Sequence, residues 1–407
     1  MAFGFDVFSL LYLPIYLGLI ASGIFYLIEL WSAAQFFRPQ PALWPPFQPP
    51  VTVLKPLKGM DVELYDNLLT LCRQQYPTVQ VLCGVADADD PAIQVVRRLQ
   101  REFPSLDLEL VVDGRIYGNN YKVSNLHNMY QRAKHQVIVL ADSDIRVGPH
   151  YLTRVVEPLR NRGIGVSTCL YRAASTGGLP TLVEALFINT DFAALVMLAR
   201  KVEKASYAFG ATIAMRREVL EEIGGFLPIA DLLADDYEIG NRVFRRGYVN
   251  ALSHEVVETV LAVGSWRRLY DHQLRWARTY LVNRPGGYFG SLLTHGTFWA
   301  LLNVVANGFS PLSCAVSGAL LGLRHLVAAR MTAHLESQTR WWELLLVAPK
   351  DLFLTAIWFA AFGGNTVVWS GHRFAVQRTG AMVDLTASPS IDDAAEPEEA
   401  LATRRRA

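Results

Sequence analysis

The stretch VIVLADSDI (137–145) decides how the rest of the chain reads. VIVLA has the length and β-branched content of a strand buried on both faces. It runs straight into Asp142-Ser143-Asp144. VTVLK (51–55), VQVLCGV (79–85) and LDLELVV (106–112) upstream have the same character. Between them ELYDNLLTLCRQQ (63–75), PAIQVVRRLQREF (91–103) and NNYKVSNLHNMYQRAK (119–134) read as helices. Continuous apolar strands alternating with helices predict an α/β domain with a mainly parallel, doubly covered sheet. In such sheets ligands bind beyond the carboxyl ends of the strands, so residues that follow strands carry the information.

Two carboxylates at i and i+2 repel each other unless a counter-ion sits between them. Asp142 and Asp144 are therefore candidate ligands for a hard divalent cation, Mg²⁺ or Mn²⁺, which would also hold a diphosphate. The plain alternative is an acidic turn. A second cluster, Ala86-Asp87-Ala88-Asp89-Asp90, follows VQVLCGV. Asp90 before Pro91 reads as a helix cap. Asp87 and Asp89 are the nucleotide candidates, and Asp87 is nearer the strand end. Asp235-Asp236 opens the helical run YEIGNRVFRRG. The pair either complements the helix dipole or supplies a general base. Lys122 follows Gly118-Asn119-Asn120 and is either a phosphate ligand at a helix start or a solvated residue. His272-Gln273-Leu274-Arg275-Trp276 is either an interfacial anchor or a phosphate-binding Arg beside an aromatic platform.

The flanks change character. No charge occurs from Val7 to Ile28, a length that spans a hydrocarbon core of about 30 Å. MAFGFD in front of it lacks the basic residues of a signal peptide, so an uncleaved anchor over 7–31 is expected. A Pro-rich linker (32–50) leads to the soluble domain (51–265), and an interfacial helical region (266–295) comes after it. Two further spans are expected, over 297–323 and 343–371. Asn307-Gly308 and Ser310-Pro311 leave the first either kinked or broken. Lys350-Asp351 marks a boundary or a bundle-facing site. Basic residues after the first and last spans predict a multi-pass protein of the cell membrane with its middle domain and C-terminus cytoplasmic. The tail 386–407 reads as disordered.

Composition agrees with lipid contact: 51% of the 407 residues are hydrophobic and 18% charged. A formal net charge of +1 gives no reason to expect nucleic acid as a partner. Cys72, Cys83, Cys169 and Cys314 form no C-x-x-C pair and predict inert thiols in a reducing compartment.

Taken in order, LKPLKG (54–59), VADADDPA (85–92), GNNYKVSNL (118–126), LADSDIRVGP (140–149), GATIAMRREVLEEIGGF (210–226), LADDYEIG (233–240), HQLRWAR (272–278) and NTVVWSGHRFAV (365–376) resemble the membrane-bound GT-A glycosyltransferases of the ceramide-glucosyltransferase-like group. That resemblance implies a Rossmann-like nucleotide-diphospho-sugar transferase domain and an inverting transfer from a UDP-sugar to a membrane-lipid hydroxyl. It implies Asp87 near the uridine, Asp142 and Asp144 at the metal and diphosphate, and Asp236 as the base. Asp235, His272, Arg275 and Trp276 would position donor and acceptor. His272 departs from the Gln or Arg usual at its position. NTDF (189–192) lacks the histidine that animal ceramide enzymes carry in this region. The strings around 141–149, 209–217 and 275–279 look closer to a bacterial hopanoid-pathway branch. The resemblance therefore ranks a polyol hopanoid acceptor and N-acetylglucosamine or glucose first, and ceramide second. A processive polysaccharide synthase and a non-catalytic membrane scaffold are the rivals.

Overall fold

The computed structural model describes residues 7–39, 45–175 and 177–386, and the residues expected to form the tail lie, from 387 on, outside it. Eight strands build the main sheet: β1 (Val51–Pro56), β2 (Val79–Val85), β3 (Asp107–Val112), β4 (Val137–Leu140), β5 (Ile145–Arg146), β6 (Ile164–Ser175), β7 (Ile213–Arg216) and β8 (Val249–Leu261). Their order is β3-β2-β1-β4-β7-β6-β8-β5. The first four strands are parallel neighbours and so are β6 and β8, whereas β7 runs antiparallel to both β4 and β6.

The apolar runs are continuous because both faces are packed. Leu54, Leu82 and Ile138 point to a core with Val123, Leu126, Met129 and Phe226. Val51, Val53 and Val139 point the other way, onto Tyr151, Leu152 and Val155. Residues of adjacent parity thus feed opposite cores, as the strand period requires. The result is the mixed α/β, parallel-rich sheet of a GT-A-like domain.

Among the described residues, four helices are long and apolar enough to cross a membrane: Tyr12–Phe36, Leu179–Val202, Pro311–His334 and Glu343–Gly363. Three boundaries differ from expectation. The first helix continues to Phe36, into the stretch read as linker, since no helix breaker occurs before Pro39. The region 297–323 is not one span. Gly296–Ala306 ends at Asn307–Ser310, where Gly308 and Phe309 adopt φ of 58° and 59°, and Pro311 starts a new helix that runs to His334. The last apolar helix stops at Gly363 and gives way to a three-stranded sheet, β9 (Thr366–Trp369), β10 (His372–Val376) and β11 (Met382–Asp384). Alternation in TVVWSGHRFAV is a strand signal that a hydropathy window over 343–371 averages away.

Leu179–Val202 lies inside the segment assigned to the soluble domain. Most of it is buried against the protein, so its apolar surface faces neighbours as much as lipid. The cysteines are all free; Cys83 and Cys169 are buried, while Cys314 is exposed on an apolar helix.

Candidate active site

The carboxyl ends of β1, β2 and β4 open onto a cavity of about 1640 Å³. Its walls come from the sheet rim, from the helix starting at Asp235, from the helix Trp266–Asn283 and from the apolar bundle.

Asp142 follows β4. Lys122 Nζ lies 2.7 Å from Asp142 Oδ1 and 3.2 Å from Asp235 Oδ2. Lys122 is delivered by the helix Tyr121–Tyr130, whose N-cap is Asn120; the Asn120 side chain accepts from Val123 N at 3.1 Å. Asn120 Nδ2 also donates to Leu232 O at 2.8 Å, which ties that helix start to the loop leading into Asp235. Lys122 is therefore an ion-pair partner in the site and not a solvated residue. Burial opposes its charge, but Asp142 and Asp235 outweigh burial and hold the ammonium above its ordinary range.

Asp236 accepts from Gly210 N at 2.9 Å and from Tyr237 N at 2.7 Å. Burial, reinforced by the neighbouring Asp235, pushes its carboxyl up to about 6. A Cβ placed on Gly210 would stand 3.1 Å from Asp142 Oδ2, 3.4 Å from Asp236 Oδ2 and 3.6 Å from Lys122 Nζ. One glycine thus marks the point where the three functional groups converge. Burial, with help from Asp144, also raises the Asp142 carboxyl, and Lys122 counteracts it.

Asp144 accepts from Thr259 Oγ1 on β8 at 2.7 Å. Lys55, the charge at the end of the apolar run of β1, is fully buried. Its Nζ donates to the backbone carbonyls of Asp142 and Ile145 and so pins both ends of the Asp142–Ile145 loop. Burial pushes the Lys55 ammonium down to about 8. Neither Lys55 nor Thr259 was singled out from sequence. A lysine inside a buried strand was the available signal for the first; the second is 115 residues from its partner and gave none.

Asp142 and Asp144 offer a hard cation two carboxylates. Among the described residues no group of three His, Cys, Asp or Glu converges as a ligand set. Two carboxylates suit a cation whose remaining positions are taken by phosphate oxygens and water, and not an all-protein cage.

Arg275 and Trp276 line the cavity from the helix Trp266–Asn283. Among the described residues no carboxylate forms a salt bridge with the Arg275 guanidinium, and burial lowers its affinity for a proton. A buried cation facing a cavity without an ion-pair partner is poised for an anion. His272 lines the same cavity, with its Nδ1 2.5 Å from Glu184 Oε1 and its ring centroid 4.4 Å from that of Trp276. Asp87 lies on the cavity wall. Asp89, next to it, is exposed, and its backbone N–H donates to Asp87 Oδ1 at 2.9 Å. Asp90 accepts from Ala92 N and Gly59 N, each at 2.8 Å, which is the capping role expected of it.

The small sheet β9–β11 completes the wall with Trp369, Ser370, His372 and Phe374. It docks through Asn119 Nδ2 to Met382 O (2.8 Å) and Leu233 N to Gly380 O (3.1 Å).

Comparison with known proteins agrees with this architecture. Ceramide glucosyltransferase 1 of Caenorhabditis elegans is 27% identical over 282 residues, 65% of this chain and 59% of that protein. Ceramide glucosyltransferase 3 of the same organism is 26% identical over 239 residues, 58% of this chain and 52% of that protein. The chain thus spans just over half the length of these relatives. Among solved structures, the mannosyltransferase PcManGT from Pyrobaculum calidifontis, in complex with GDP-Man and Mn²⁺, superposes with a TM-score of 0.51 at 20% identity. The overlap covers 86% of this chain and 99% of that one, and it shows the shared fold. The family model described as glycosyl transferase family 21 matches residues 14–382, nearly everything from the first apolar helix to the small C-terminal sheet. Fold, cavity and sequence therefore agree, and the chain belongs to glycosyl transferase family 21.

Proposed function

We propose that this protein transfers a hexose from a nucleoside-diphosphate sugar, UDP-glucose or UDP-N-acetylglucosamine, to a hydroxyl of a membrane lipid. The observation that carries this reading is a single cavity that joins Asp142, Asp236 and Arg275 to residues of the apolar bundle. The names of the matched relatives favour ceramide as acceptor, ahead of the polyol hopanoid that motif likeness had put first.

The lipid oxygen attacks the anomeric carbon as the bond from that carbon to the diphosphate oxygen breaks. The electron pair leaves with the diphosphate, and the lipid hydroxyl proton passes to Asp236. A single displacement inverts the anomeric centre. Asp236 is suited to the proton because its carboxyl is raised toward neutrality. Two backbone N–H groups hold it still while it accepts. Arg275 faces the departing diphosphate, and Lys122 neutralises Asp142 and Asp235 beside it. A divalent cation held by Asp142 and Asp144 would supply further charge neutralisation to the diphosphate. Basic residues after the first and last apolar helices support a cytoplasmic catalytic domain.

The test is transfer of radiolabelled sugar by protein in lipid nanodiscs. UDP-glucose or UDP-N-acetylglucosamine is offered with ceramide, a polyol hopanoid or no added lipid. A glycosylceramide product is expected, with loss of turnover on EDTA and recovery with Mg²⁺ or Mn²⁺. Absence of any glycolipid from all donor and acceptor pairs would refute the reading. Turnover indifferent to chelation would remove the cation from it.

A further inference from the structure

The far end of the cavity is built from charge inside the apolar bundle. Arg324 Nε and Nη2 bind the two oxygens of Asp351 at 2.9 and 3.0 Å, and Nη2 reaches Asp191 at 2.7 Å. Lys350 Nζ lies 2.5 Å from Asp191 and 2.6 Å from Asp351. Two cations meet two anions, so this cluster is neutral and self-satisfied.

Glu29 stands outside that balance. It is 3% exposed, yet it forms part of the cavity wall. Among the described residues its carboxyl has no hydrogen-bond or ion-pair partner. Tyr26, one turn earlier, is fixed: its OH donates to Thr294 O at 3.2 Å, and the Arg324 guanidinium lies 6.0 Å from its ring. Ionisable groups within apolar helices are costly and persist where they meet a ligand or a partner. A buried carboxyl without a hydrogen bond is costly to hold out of water. The missing partner therefore belongs to whatever fills the cavity.

A continuous wall leads from this group to the reaction centre. Asp191 precedes Phe192, whose ring lies 5.0 Å from that of Phe209, and the next residue, Gly210, donates to Asp236. A lipid seated with its reacting hydroxyl near Asp236 and its body toward the bundle passes along this wall.

Resting on the function proposed above, we infer that Glu29 is a specificity-determining residue for the acceptor. It accepts a hydrogen bond from a second donor group of the lipid, an amide N–H or a further hydroxyl, distinct from the hydroxyl that receives the sugar. Monohydric lipid alcohols lack that second donor and leave Glu29 bare.

The experiment compares kcat/KM for an N-acyl sphingoid base with that for its N-methyl amide and its 3-deoxy analogue. A polyol lipid with and without one hydroxyl that does not receive the sugar forms a parallel arm. Each ratio is taken within one enzyme preparation, so it is independent of the folded fraction. Removal of the critical donor is expected to cost the wild-type protein about 10-fold, the scale of leaving a buried acceptor unpaired. In Glu29→Met the ratio falls to near one. Glu29→Gln, which keeps the shape and one carbonyl oxygen, shows an intermediate ratio and carries the test if the methionine variant does not fold. Wild-type ratios near one in every arm, or ratios unchanged in both variants, overturn the inference. Failure of the function proposed above looks different, since no parent lipid would then be glycosylated at all.

Discussion

Asp236, the base proposed above, illustrates how a backbone can hold a carboxylate. Its carboxyl accepts two N–H groups and still binds protons more tightly than a free aspartate, because burial and Asp235 outweigh those bonds. A base must be deprotonated to act, so the sign is fixed: kcat/KM should rise with pH through about 6 and level off above it. Asp236→Asn should lower kcat by about 10²- to 10⁴-fold and flatten that limb. Lys122→Met leaves Asp142 and Asp235 facing each other without their cation. It should weaken donor affinity at least 10-fold, read as KM for the UDP-sugar, on the scale of a lost charged contact. At this scale the candidates stood out in the sequence as acidic pairs, Asp142 and Asp144 just after a strand and Asp235-Asp236 at a helix start, and the fold brings Asp142 and Asp236 onto one cavity wall. It failed where the partner is remote: Arg324 meets Asp191 from 133 residues away, and no local pattern encodes such a meeting.

Among the elements, the helix Tyr121–Tyr130 bears the most functional weight for its length. Its cap Asn120 satisfies Val123 N and holds Leu232 O, so two segments that carry site charges share one side chain. Asn120→Ala should cost roughly 1–2 kcal/mol, seen as a lower unfolding midpoint, and should depress activity beyond that loss because Lys122 and Asp235 drift apart. The strands were legible from their apolar runs. The helix Leu179–Val202 was not, because it carries Glu184, Asp191, Arg200 and Lys201 and is buried largely by protein. Glu184 and Asp191 find partners inside the fold, with His272, Arg324 and Lys350, which the local sequence does not show. The sheet β9–β11 was absorbed into an expected span for the opposite reason, since its valines and tryptophan resemble lipid-facing residues until their alternation is considered.

Over the whole molecule, polar contacts knit the apolar helices to one another. Asp351 serves Arg324, Lys350 and Thr297 together. Asp351→Asn leaves two buried cations short of charge and should cost about 3–5 kcal/mol, measured as earlier thermal unfolding in detergent. The position of the small sheet carries its own lesson. Strands β9–β11 come after the last apolar helix, yet they return to the rim of the first-made domain and wall its cavity with Trp369, His372 and Phe374. Under the function proposed above, a chain cut short before Thr366 would keep Asp142, Asp236 and Arg275 and lack this wall.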